Sequence, residues 1–474
     1  MKTDKLQDAI GMIDGDLIAD ADNILIKQKK RRNKWVIPVA AVLALVIALT
    51  PFLRNTKIPD NPFVIKSYAI NEAKYPQMTQ YPLTELGYKE WAEDQKVRRQ
   101  YFGAGENLDE FFKKTYSQIL SDSGKENKLY SPVNMYMALA MLAEITDGES
   151  RQQILNLMGV ENIETLRKQA NSIWNANYNN DGAVTSVLAN SLWLNENITF
   201  NSETLKTLAE NYFASSYQGE MGSSQFNEAL QKWLNQQTGN LLKDQISDIE
   251  LDPQTVMSIA TTIYYQAKWN AEFKNSLNTQ GVFKSPLGDI PCEFMNQTET
   301  YGVYYWGEKF SAVSKEIEMS GRMWFVLPDE NVSIDELLND SEALKFMNAD
   351  GDWNNQKQLK VNLSIPKFDV CSDSDLKEDF EDLGVKDCFD STVADFSPLT
   401  VDFNDPIYLS KVQHGVRVAI DEEGVTAAAY TVLPMAGAAR PPEDEIDFVV
   451  DRPFIFVITG EDGLPLFAGV INQP

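Results

Sequence analysis

Histidine is almost missing. His414 is the single one in 474 residues, so any catalytic relay or metal centre that needs an imidazole has one candidate. Cysteine is scarce as well: Cys292, Cys371 and Cys388 are odd in number and lack CxxC spacing. That excludes a disulfide framework and a zinc site, and leaves the three expected as buried thiols. No HExxH, phosphate-binding loop, dinucleotide fingerprint or nucleophile elbow occurs, so neither enzymatic chemistry nor a metal or cofactor is expected. Positive charge is in deficit, with 42 Lys and Arg against 69 Asp and Glu for a net charge of −27. Such a surface argues against nucleic-acid binding and against adsorption of the protein body to an anionic membrane. What is present is 43% hydrophobic residues, enough for one large domain with appendages.

The long apolar run covers residues 35–53, nineteen positions without a charge. As a helix it would span about 28 Å, close to the thickness of a hydrocarbon core. Residues 27–34 hold six Lys and Arg, so the positive-inside rule puts residues 1–34 in the cytoplasm and everything beyond residue 53 outside the cell. A cleaved signal peptide is the competing reading, but the lead of 34 residues and the want of a small-x-small cleavage site favour an uncleaved single-pass anchor. Within the tail, Leu6, Ile10, Ile13 and Leu17 recur at helical spacing and suggest a short amphipathic helix. Residues 54–104 mix Pro, Tyr and charge without a sustained period, the composition of an extracellular stalk. The globular domain then runs over residues 105–474.

Helical periodicity covers residues 108–120, and a second helix starts after Ser131, which can cap the orphan amides, with Pro132 in the first turn. Trp233 precedes Thr238 by five positions, a strand-like run of residues 256–268 ends in Trp269, and Phe273 follows. Further strand runs cover residues 322–329, 365–368 and 448–458, and a helix over residues 375–383 closes at Gly384. Near the C-terminus stands a tract that fits neither core nor linker. From Val425, alternate residues Val425, Ala427, Ala429, Thr431, Leu433 and Met435 are small or apolar, as one face of a strand requires. Charged Asp421, Glu422 and Glu423 lead into the tract and a run of Ala, Gly, Arg and Pro follows it, which is loop composition. Gly424 stands where the backbone needs freedom to swing from loop to strand. Composition alone allows an exposed Ala-rich loop.

These runs, in this order over residues 105–474, resemble the serpins, with the strongest likeness over residues 410–424 and 466–474. The resemblance implies an α+β fold with three β-sheets, about eight or nine helices and an exposed reactive-centre loop, here preceded by one transmembrane helix. It makes residues Glu422, Glu423, Gly424, Val425, Thr426, Ala427, Ala428 and Ala429 the hinge of a bait loop. It sets His414, Ser131, Asn134 and Thr261 in the shutter beneath the central sheet, and Trp269 in the breach where the loop first inserts. The family more often has Ser where Asn134 stands and Asn where Thr261 stands, so the amide is expected to have moved across one hydrogen-bond network to His414. The family's spacing from Gly424 puts the bait bond at Ala438–Ala439, ahead of paired prolines at 441 and 442. Met435–Ala436 would leave a shorter strand, and Arg440–Pro441 is a bond that serine proteases cut poorly.

The function so implied is suicide-substrate inhibition of an elastase-like, or subtilisin-like, serine protease by a monomeric, membrane-anchored, bacterial-type serpin. The rival is a non-inhibitory cell-surface binding protein of the same fold, whose loop is cut as a plain substrate. Tyr430 is the bulky exception in the tract, and Pro434 forfeits one ladder hydrogen bond.

Overall fold

A central strand covered along one edge and almost bare along the other organises the molecule. The computed structural model describes residues 63–81, 85–105, 107–241, 249–403, 405–425 and 442–474. The chain divides into residues 1–59, which lie wholly outside the described residues, and residues 60–474. Eight strands, in chain order, build the first sheet: β1 (Ala69–Asn71), β2 (Asn179–Asn180), β3 (Thr185–Asn195), β4 (Ala214–Gly219), β5 (Met257–Lys268), β6 (Phe368–Asp375), β7 (Gln413–Ile420) and β8 (Gly424–Val425). Their spatial order is β1-β4-β3-β5-β8-β7-β6, with β2 beside β3. Strand β3 is buried on both faces from Ser186 to Leu194, with Ser186, Asn190 and Ser191 as buried polar residues among apolar ones.

On one side β5 pairs with β3 from Gln266 to Met257. On the other, among the described residues, only Lys268 and Ala267 have strand partners, Gly424 and Val425. Strand β7 pairs with β6 throughout, from Gln413 to Ile420, yet towards β5 only Ile420 is paired, with Val425. Among the described residues no ladder joins β5 directly to β7. Among the described residues the sheet is thus parted, and the two residues of β8 form a wedge at one end of the gap.

The second sheet has nine strands, in the order Glu445–Val449, Gln356–Pro366, Gly288–Trp306, Phe310–Glu316, Arg322–Pro328, Phe454–Thr459, Pro465–Ile471 and Lys128–Tyr130, with Thr279–Ser285 paired to Gly288–Trp306. Three sheets were expected from the resemblance, and among the described residues the strands join into two. The reason is the 19-residue strand Gly288–Trp306, which holds Gln356–Pro366 along one edge and reaches Phe310–Glu316 through Tyr305 and Trp306. Both halves therefore belong to one continuous ladder. Between the two sheets runs the helix Pro132–Glu144, packed on β5 and on Pro465–Ile471. All but one of its 13 residues are buried, as a helix apolar all round must be. Ser131 Oγ accepts from the Asn134 amide at 3.2 Å and Pro132 fills the first turn, so the cap anticipated from sequence forms.

Residues 54–104 are not a stalk where the structure describes them. Among the described residues nine α-helices lie beyond residue 105, within the eight or nine expected, and two more, Phe63–Lys66 and Glu85–Arg99, lie in this segment. Strand β1 extends the central sheet by pairing Ala69 with Tyr217 and Asn71 with Ser216. The Tyr75 ring sits 5.1 Å from Trp174 and 5.6 Å from Tyr178. Buried Trp91 donates its indole N–H to Asp181 at 2.8 Å, and Arg98 reaches the Ala176 carbonyl at 2.8 Å and the Glu461 carboxylate. Aromatic residues taken for spacer are anchors, and a three-residue edge strand is too short to carry an alternating pattern. The cysteines are also mixed, with Cys388 buried, Cys292 half-buried and Cys371 exposed on β6. Residue 371 falls on the outward side of β6, between buried Val370 and half-exposed Ser372.

The substitution Trp91→Ala is expected to cost about 3 kcal/mol of stability, since it opens a cavity and strips a donor from buried Asp181. Urea denaturation of the variant checks this; a true stalk residue would leave the transition where it was.

Candidate functional site

The wedge is set by a tight turn. Asp421 accepts through Oδ1 from the Glu423 and Gly424 amides at 2.9 and 3.1 Å, while its own amide donates to the Gly424 carbonyl at 3.1 Å. An aspartate closing its own turn in this way reverses the chain and feeds Gly424 and Val425 from β7 back towards β5. A Cβ on Gly424 would stand 2.2 Å from the Ala267 carbonyl oxygen and 2.7 Å from Lys268 Cα. Glycine is required here by close approach of two backbones. Val425 behind it is 2% exposed.

Three successive carbonyls of the turn are held by one neighbouring segment. Trp269 donates its indole N–H to the Asp421 carbonyl at 2.8 Å and its backbone N–H to that of Glu423 at 3.0 Å; the Phe273 amide takes Glu422 at 2.9 Å. Trp269 is buried and its ring lies edge-on to Phe273. The Glu422 side chain is fixed as well, by Lys367 Nζ at 2.6 Å and by the amide of Asn278, and Lys367 also meets Glu293 at 2.8 Å. Burial works against charge on Glu422, but the hydrogen bonds from Lys367 and Asn278 outweigh it and hold the carboxyl below its ordinary value.

Midway along the gap lies His414. Its Nε2 accepts from the Ser131 backbone N–H at 3.0 Å, and the ring is buried. Burial alone pushes its pKa down to about 4, so the imidazole is neutral at pH 7. The expected relocation of an amide to this network is not realised. The Asn134 side-chain Oδ1 is buried without a partner among the described residues, and no hydrogen bond joins either Asn134 or Thr261 to His414. The acceptor nitrogen is already taken by Ser131, and the Asn134 backbone amide is committed to the helix cap. Thr261 instead faces Asn190 across β5 and β3. Asn190 donates to the Tyr212 carbonyl at 2.8 Å, and its buried Oδ1 has no partner among the described residues.

The family model described as "Serpin (serine protease inhibitor)" matches residues 106–474. The chain is a serpin. An uncharacterized serpin-like protein of Methanosarcina acetivorans is 29% identical over 386 residues, covering 76% of this chain and 83% of that protein. The native-state structure of the thermophilic serpin tengpin is 25% identical with a TM-score of 0.70, over 86% of this chain and 100% of that one. Thyroxine-binding globulin in complex with thyroxine is 18% identical with a TM-score of 0.64, over 77% of this chain and 99% of that one, which shows the fold alone. Serpins are generally inhibitors of proteases rather than enzymes, though the family also holds members that do not inhibit.

In this serpin Glu422, Glu423, Gly424, Val425 and Trp269 come together at one end of the gap, and Ser131 and His414 meet at its middle. Thr426, Ala427, Ala428, Ala429, Ala438 and Ala439 lie outside the described residues, as do the tail 1–34 and the apolar run 35–53. Among the described residues no helix is long and apolar enough to cross a membrane, and no cluster of His, Cys, Asp or Glu is arranged to hold a metal ion. Sequence reasoning missed Lys367, Asn278, Glu293 and the turn role of Asp421. The signal for Lys367 was one cation inside the strand run Ile365, Pro366, Phe368, and for Asp421 an aspartate three residues before a glycine.

Because His414 binds its proton more weakly folded, at about 4, than at its ordinary 6.5, its contribution is complete above pH 6.5 and is lost as the pH falls towards 4. The loss amounts to about 3 kcal/mol. Denaturation midpoints of wild type and His414→Asn measured from pH 7 to pH 4 should converge as the pH drops; parallel curves would refute the assignment.

Proposed function

We propose that this serpin is inhibitory and traps an elastase-like serine protease by cleavage-triggered insertion of its bait loop. The observation that carries the reading is the parted sheet with its wedge. Continuing the register of Gly424 opposite Lys268 and Val425 opposite Ala267 brings residue 435 opposite Met257, so twelve residues of loop match the whole length of β5. Cross-strand neighbours share a face. Val425, Ala427, Ala429, Thr431, Leu433 and Met435 would therefore join Ala267, Tyr265, Ile263, Thr261, Ile259 and Met257, and a small or apolar set is what that face accepts.

The protease serine attacks the bait carbonyl and forms an acyl-enzyme. Cleavage frees the segment behind the hinge, which adds to β5 and β7 as a new antiparallel strand and supplies the ladder their facing edges lack. Fifteen residues at about 3.3 Å each carry the tethered enzyme roughly 50 Å. Deacylation needs a water and oxyanion donors aligned to a fraction of an ångström, so distorting the protease preserves the ester.

The spacing from Gly424 supports Ala438–Ala439 as the bait bond, and a pocket that accepts Ala must be small and apolar. A cell-surface setting belongs to the same proposal, supported by the charge-free run 35–53 and the basic residues before it. The likeness in fold to thyroxine-binding globulin keeps a second reading in view, a binding protein whose loop is cut without trapping.

Mixing residues 54–474 with an elastase should give a band at the combined mass that survives SDS and boiling; complete cleavage without that band selects the second reading. The variant Ala438→Arg should move inhibition from elastase to trypsin, with rates for both enzymes shifting tenfold or more, and unchanged elastase inhibition would displace the bait bond.

A further inference from the structure

The hairpin that joins β7 to β8 has no turn-forming residue in its middle. Ile420 pairs with Val425, so Asp421 stands opposite Gly424 and Glu422 and Glu423 are left to reverse the chain. Two-residue hairpins most often close through turns whose central residues are left-handed, hence Asn or Gly, because those turns match the twist of the strands. Here the centre is two glutamates, and none of residues 421–424 is left-handed. The backbone by itself has no favoured way round.

The Asp421 side chain supplies one. Of the two backbone bonds that could close the pair, the one from the Asp421 amide to the Gly424 carbonyl forms at 3.1 Å. The return bond is made by substitution: the Gly424 amide donates to Asp421 Oδ1 at 3.1 Å, and the same oxygen takes the Glu423 amide at 2.9 Å, which is how an aspartate imitates a backbone turn. The Asp421 backbone carbonyl is thereby left to accept from the Trp269 indole at 2.8 Å. Gly424 is buried, and a buried amide deprived of its acceptor is costly. The donors of Trp269 and Phe273 come from one neighbouring segment and bind carbonyls. They fasten the turn, while Asp421 folds it.

We infer that Asp421 is a positioning residue for insertion: its carboxylate keeps the hairpin formed in the uncleaved protein, so that the freed chain extends the two-residue strand β8 and need not start a strand of its own. Starting a hairpin orders several residues before any ladder bond offsets the loss of freedom, whereas each residue added to a seated strand gains its bonds at once. In a race with deacylation that difference falls on the partition between trapping and release. The inference rests on the insertion reading above and adds to it a residue, outside the bait tract, that sets how well insertion competes.

The test takes the full chain and its variants Asp421→Ala, Asp421→Asn and Asp421→Glu through two measurements: hydrogen exchange at the Glu423 and Gly424 amides of the intact protein, and the stoichiometry of elastase inhibition. Asn keeps the acceptor oxygen in place without the charge; Glu keeps the charge and displaces the carboxylate by one methylene. Expected in Asp421→Ala and Asp421→Glu are exchange about tenfold faster and a stoichiometry raised several-fold, with cleavage still raising the melting temperature; Asp421→Asn matches wild type in both. Should Asp421→Ala fail to fold, Asp421→Glu against Asp421→Asn carries the comparison. Rescue by Glu and not by Asn makes charge the cause and overturns the inference. An unchanged stoichiometry in Asp421→Ala and Asp421→Glu, with wild type still trapping elastase, overturns it too and spares insertion. A wild type that is cleaved with neither an SDS-stable complex nor a gain in melting temperature overturns the insertion reading and the inference together.

Discussion

Three backbone carbonyls, those of Asp421, Glu422 and Glu423, are each claimed by an amide or indole donor from Trp269 and Phe273. Everything else at the gap follows from that attachment. It fixes where the chain turns, and hence which residue arrives first between β5 and β7. Each of these hydrogen bonds adds to the hold on the turn, which keeps Gly424 and Val425 docked beside β5. The parted edges below are the converse case: β5 offers the run 257–266 without strand partners on that side among the described residues, and unpaired N–H and C=O groups of that kind can template another strand.

The charges around the wedge act on position more than on stability. Glu422 meets Lys367, and Lys367 meets Glu293; a pair of this kind roughly offsets its own desolvation. What it supplies is registry, because Lys367 lies between the two sheets' strands, directly after Gln356–Pro366 and before β6. The turn is thereby tied to the joint from which both sheets diverge. His414 is the matching device at the midpoint, neutral because burial makes charge expensive there, and bonded to the backbone amide at the start of the buried helix.

Much of this was legible in the sequence because the informative residues are local. Ser131 followed by Pro132 announces a capped helix, the run ending at Trp269 announces a central strand, and Gly424 announces a backbone constraint. The sequence was silent where the deciding contact joins distant segments. Glu422 and Asn278 are separated by 144 positions, and nothing near either marks the other. The number of sheets turned on how the ends of Gly288–Trp306 pair, which no periodicity encodes. Residues 63–104 were misjudged because their attachment is made by isolated anchors such as Tyr75, Trp91 and Arg98 rather than by a repeating face. The shutter amide failed for a related reason: inventory showed which groups were present, but a backbone amide, invisible to any residue count, had already occupied the histidine.

Gly424 lies so near the Ala267 carbonyl that a single added carbon would overlap it. Mutational drift at this codon consequently has one tolerated outcome, and selection there acts on a lone hydrogen atom.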